Sequence, residues 1–216
     1  GGNGMQQNFN QKILRMAQLA LLTALVVVLQ FAGSFIKIGP LPMSLVLVPI
    51  VIGAFLLGPK AGGFLGGVFG AITAVMGIAG VDAFSALLWQ ANPVCFVLIC
   101  LLKATLAGLG AGLIYKGLQK AFKGKYVTLC TVLASVSAPI INTGIFVIGM
   151  FLCFFPTMSA LPSLYPDAFG QFGNAFQVVV LGLAGVNFIG EFIVNLVLSP
   201  AIVRVLDLIG KKLKLS

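Results

Sequence analysis

What most limits the folds open to this chain is the recurrence of apolar stretches with no charged residue. Several exceed the ~20 residues that a helix needs to cross a bilayer. Their polar interruptions are short, and only 8% of the 216 residues are charged while 60% are hydrophobic. A water-soluble domain needs far more polar surface than that. Alternating ten-residue strands are absent, which favours helices over a membrane barrel. The sequence therefore predicts an all-α integral membrane protein, a bundle of six transmembrane helices in one domain over 5–216. Gly1 to Gly4, ahead of Met5, reads as a cloning scar.

The expected spans are about 13–36, 43–57, 61–79, 94–115, 126–155 and 175–203. In the first, Ala17, Ala20 and Ala24 share a face, and Ala20–Ala24 is an AxxxA that lets another helix approach closely. Gly39, Pro40 and Pro42 break the chain before the second span, which is short and expected to kink at Pro49. Gly58-Pro59-Lys60 is a tight turn. The third span carries two glycine ridges, Gly62/Gly66/Gly70 and Gly63/Gly67, suited to close packing. Residues 80–93 and 155–174 are expected to be loops, the longer one a lid or binding loop.

Six spans place both termini on one side. That side gathers eleven of the thirteen basic residues, including Lys60, Lys116 to Lys125 and the tail after Arg204. The opposite side keeps Lys37, Asp82 and Asp167. Positive-inside bias makes both termini cytoplasmic, in a plasma membrane and in a bacterial setting. The net charge of +9 is thus topology and not a nucleic-acid surface.

Inside this apolar frame the polar residues stand out. GVNFIGEFIVNLVLSP, residues 185–200, carries Asn187, Glu191 and Asn195 at a spacing of four, hence on one helical face. Glu191 is the one carboxylate placed within hydrocarbon, where an ionisable group marks function unless it merely clamps helices. Lys103 is too deep to snorkel and must face inward. At ~1.5 Å per residue, Lys103, Asn142, Asn187 and Glu191 can converge in one layer of the outer half, where a Lys103–Glu191 pair would remove the cost of both isolated charges, leaving open whether the two meet a ligand or only each other. Above them stand Trp89, Gln90, Asn92 and Tyr165. Trp89 suits an interfacial belt as well as a ligand platform. Asn195, a turn deeper, reads as a clamp between helices.

No histidine occurs, and Cys95, Cys100, Cys130 and Cys153 lack CxxC spacing, so neither a metal nor a disulfide is expected. No Ser/His/Asp set or phosphate-cradling loop is present either, so no enzyme and no cofactor is expected. The layer describes a polar cavity opening outward. A self-sufficient carrier or channel would need polar residues reaching both faces.

The six spans, Ala20–Ala24 and the phrase LVPIVIGAFLLGPKAGGFLGG (47–67) are together similar to the substrate-binding S components of energy-coupling factor (ECF) vitamin transporters. The resemblance covers nearly the whole chain. It implies a vitamin captured from outside, in a site built from spans four to six and the outer loops. It implies also that Ala20 and Ala24 dock on a transmembrane scaffold subunit, whose module includes two ATPases. Signatures of thiamine, biotin and queuosine-precursor members are missing. The Lys103/Glu191 layer suits a small carboxylate such as pantothenate, with cobalamin, folate and riboflavin open.

Overall fold

A computed structural model describes residues 2–34, 37–38, 41–42 and 45–214. Gly1, Gly39, Pro40 and the expected start of the second span at Met43 lie outside the described residues. The chain runs α1 (Gly2–Ser34), a two-residue antiparallel pairing of β1 (Lys37–Ile38) with β2 (Leu41–Pro42), α2 (Leu47–Leu56) and α3 (Pro59–Ile78). It continues through α4 (Ala83–Ala91), α5 (Pro93–Ala121), α6 (Val127–Cys153), α7 (Phe155–Leu164) and α8 (Pro166–Phe169). The last helix starts as α9 (Ala175–Gln177), widens into a π-helical stretch over Val178–Gly185 and resumes as α10 (Val186–Lys214). Among the described residues five helices are long and apolar enough to cross a membrane, so this is an all-α membrane protein.

α2 is not among the five. Its 10 residues span about 15 Å, half the ~30 Å hydrocarbon core. The expected kink at Pro49 is absent, because Pro49 falls in the first helical turn, where its missing N–H breaks no bond. The turn after α2 depends on Gly58, whose φ of 103° is left-handed, followed by Pro59 at the first position of α3.

The glycine ridges are used unequally. A side chain on Gly62, Gly66 or Gly70 would strike the backbone carbonyls of Gly108, Ala104 and Cys100 in turn. Gly63 and Gly67 meet Leu109 and Thr105 only at ordinary contact distance. One ridge therefore seats α3 backbone-to-backbone against α5, and this contact fixes where Lys103, between Cys100 and Ala104, must point.

The two segments expected as loops are helical. Asp82 caps α4 by accepting the Ser85 N–H at 2.8 Å. Residues 155–169 form α7 and α8, burying Met158, Leu161 and Phe169 in an apolar cluster with Phe84, Leu88, Phe96 and Met150. A second cluster joins α1 to α3 and α5 through Val26, Leu65, Phe69 and Ala104. A third joins α2, α5, α6 and α10 through Phe55, Ala111, Ala138 and Ile202.

Candidate functional site

Glu191 sits near the start of α10 and is 1% exposed. An ionised carboxylate only accepts, so burial demands donors around it. Two amides supply them. Asn142 on α6 donates Nδ2 to Oε2 at 3.2 Å, and Asn187, one turn back on α10, donates Nδ2 to Oε1 at 3.2 Å. The eight-residue π-helical stretch lies directly above Asn187. Such wide turns re-phase the helix that follows and concentrate at functional sites.

Both amides are committed by this arrangement, since their NH2 groups must turn to the carboxylate. Among the described residues no donor reaches Asn142 Oδ1, Asn187 Oδ1 or the neighbouring Thr143 Oγ1, all buried. Buried acceptors without donors are costly. These three groups all line one cavity, together with Glu191 and Lys103. The space within and in front of it, open solvent at the mouth included, is about 890 Å³. Phe69, Phe84, Phe96, Phe146, Met150 and Leu183 give it apolar walls.

The Lys103–Glu191 ion pair is corrected. The Lys103 ammonium lies over the Phe146 ring, 5.3 Å from its centroid, and no ion pair with Glu191 forms among the described residues. Each carboxylate oxygen accepts from one asparagine and keeps a further lone pair. Lys103 lines the cavity as a cation over a ring face, in the field of the Glu191 carboxylate but with no direct ion pair to it among the described residues.

Trp89, Gln90, Asn92 and Tyr165 do not line the cavity. Trp89 packs edge-on against Phe96, with ring centroids 6.4 Å apart, and Gln90 and Tyr165 are exposed. Asn92 is the N-cap of α5, accepting the Cys95 N–H at 3.2 Å ahead of Pro93. Asn92→Ala is expected to cost about 1 kcal/mol of thermal stability through the lost cap and to leave ligand affinity unchanged, as a thermal-shift titration would show.

Asn195 is also corrected. It does not clamp two helices; its Nδ2 donates to the Glu191 carbonyl of its own helix at 2.8 Å. With Ser199, Ser135 and Thr131 it forms a fully buried polar seam between α10 and α6, deeper than Glu191. Most of its hydrogen bonds return to the backbone one turn back: Ser199 donates to the Asn195 carbonyl and Thr131 to that of Val127.

The sequence reading missed Gln30 on α1 and Thr73 on α3. Both line the cavity, and Gln30 Nε2 donates to Thr73 Oγ1 at 3.3 Å. Gln30 carried a usable signal, as a lone amide in the apolar run from Leu19 to Phe31 broken otherwise only by Thr23 and Ala residues. Asp82, besides capping α4, lines the same cavity.

On the other side of α1, Ala17, Ala20 and Ala24 are exposed. The bundle is met instead by Leu22, Val26 and Gly33, which are buried. The small-residue face thus points away from the chain's own helices.

These features define a multi-pass helical membrane protein with a polar-floored cavity suited to a small molecule. A scan of protein-family models matches residues 14–203 to the family described as ECF transporter, substrate-specific component. That covers most of the chain, and the protein belongs to this family. A search of curated proteins finds no match to it. Members of the family are transporter subunits rather than enzymes, and membership implies a small-molecule substrate and partnership with the ECF scaffold and ATPase subunits.

Proposed function

We propose that this subunit captures a vitamin-class small carboxylate, pantothenate or a molecule like it, and passes it to an ATP-driven ECF module. The cavity opens to the outside of a bacterial plasma membrane and both termini are cytoplasmic, a reading supported by the basic residues at the terminal end. The observation that carries the substrate class is the pairing of unlike needs in one cavity. Lys103 lines the cavity with an ammonium that forms no direct ion pair among the described residues, while Asn142 and Asn187 offer acceptors without donors. A ligand with a carboxylate at one end and hydroxyl or amide N–H groups along its length answers both.

The test is a thermal-shift screen of the purified protein, without ATP, against a vitamin panel that includes pantothenate, folate, riboflavin and cobalamin. Pantothenate should give the large shift. Lys103→Met removes one charge-assisted contact of about 1.5–3 kcal/mol, so it should weaken the hit by about 10- to 100-fold. A panel with no hit, or an unaffected Lys103→Met, rejects the assignment.

The buried seam of Thr131, Ser135, Asn195 and Ser199 favours a second reading, a self-sufficient carrier with a polar path beyond the cavity. Against it, the third apolar cluster surrounds that depth. Uptake into liposomes lacking any ATPase would support the carrier.

A further inference from the structure

Two of the four cysteines lie together at the end of the bundle that carries α4 and α7. α5 and α6 form an antiparallel hairpin around the turn at 122–126, so residues equally distant from Gly124 lie level. Ile99 and Gly149 are such a pair, and the Ile99 side chain fills the space that Gly149 leaves open. Cys95 lies one turn beyond Ile99, and Cys153 one turn beyond Gly149. One turn keeps a side chain on the same face, so the two thiols come level on facing helices, near enough to influence each other electrostatically. Both are half-buried against the apolar cluster of Phe96 and Phe154, whereas Cys100 and Cys130 are fully buried.

Their positions in the chain matter as much as their proximity. Cys95 is in the first turn of α5, directly after the Asn92 cap that ends α4. Cys153 is the last residue of α6, directly before α7. The pair therefore spans the two joints from which α4 and α7 extend, and α4 supplies Phe84, Ser85 and Leu88 to the cavity wall.

We propose that Cys95 and Cys153 form a reversible disulfide that fastens the start of α5 to the end of α6 beside the cavity. The oxidant is a small-molecule disulfide such as oxidised glutathione. One cysteine thiolate attacks a sulfur of that disulfide and expels one small thiol, leaving a mixed disulfide. The second thiolate then attacks the protein-bound sulfur and expels the other. Two protein thiols become one disulfide, the reagent is reduced to two thiols, and these take up the two protons. With the outward orientation proposed above, the pair sits on the face where disulfides persist; that part alone rests on the functional reading.

The experiment treats the purified full chain with oxidised glutathione, then denatures it, labels free thiols with a maleimide and maps peptides without reduction. The expected result is loss of two of the four reactive thiols, a Cys95–Cys153 linked peptide, and recovery on reduction. Hydrogen exchange across α4 and α7 should slow in the oxidised form. Cys153→Ser should abolish all three effects, and the Cys100→Ala/Cys130→Ala double variant should keep them. Four thiols that remain reactive, or links only between molecules, overturn the proposal. A membrane-impermeant disulfide on whole cells separates the two readings. If the purified protein closes but cells do not respond, the orientation fails and the disulfide stands.

Discussion

Glu191→Gln is expected to weaken ligand binding by about 10- to 100-fold while leaving the fold intact. The carboxylate accepts from Asn142 and Asn187 at once. A glutamine has one acceptor and one NH2 group, so one asparagine must meet a donor with its own donor. That asparagine turns over, and its Oδ1, until then offered to the cavity, is spent on the new amide. The ligand donor that faced that Oδ1 is then left unpaired in a buried site, at a cost of about 1–3 kcal/mol, which is about 10- to 100-fold in affinity. Stability should move the other way or stay still, because removing a buried charge relieves desolvation. Calorimetric titration with the panel hit, beside a thermal melt of the unliganded protein, reads both. Affinity that falls only in step with stability would mean the carboxylate holds helices together and nothing more.

The second large effect concerns assembly. Ala20→Trp with Ala24→Trp should abolish uptake in cells and lower co-purification with the scaffold subunit by at least about 30-fold, taking about 1–3 kcal/mol per overpacked site. Ligand binding by the isolated protein should be untouched. The separation follows from α1 itself: Leu22 and Val26 are buried while Ala20 and Ala24 are exposed. A bulky side chain there meets no residue of its own bundle. If ligand binding falls together with assembly, α1 is being distorted and the face is not a docking face. If neither changes, the docking role proposed for Ala20 and Ala24 is wrong.

Much of this was legible in the sequence because a bilayer enforces simple rules. Apolar length marked the long helices, and the Gly62/Gly66/Gly70 spacing marked the face that α3 turns to α5. The four residues Lys103, Asn142, Asn187 and Glu191 do share one cavity, because depth along antiparallel helices can be counted. What failed to be legible was pairing. Counting depth puts Lys103 and Glu191 level but does not say that two short amide side chains reach the carboxylate first. The caps at Asp82 and Asn92 were written in Asp-x-x-Ser and Asn-Pro, yet a membrane context drew both segments toward loops. The π-helical stretch over 178–185 has no signal in its run of Val, Leu, Ala and Gly, so the rotation that aims Asn187 and Glu191 was invisible. Gln30 was overlooked because α1 was weighed only for its alanine face.

Where a bound molecule sits is measured most directly by a structure of the protein loaded with its panel hit. The predicted result is density between α5, α6 and α10, with a carboxylate at the Lys103 ammonium and donor groups at Asn142 Oδ1 and Asn187 Oδ1. Density elsewhere, with the Glu191 cavity closed by side chains or filled only by solvent, would contradict it.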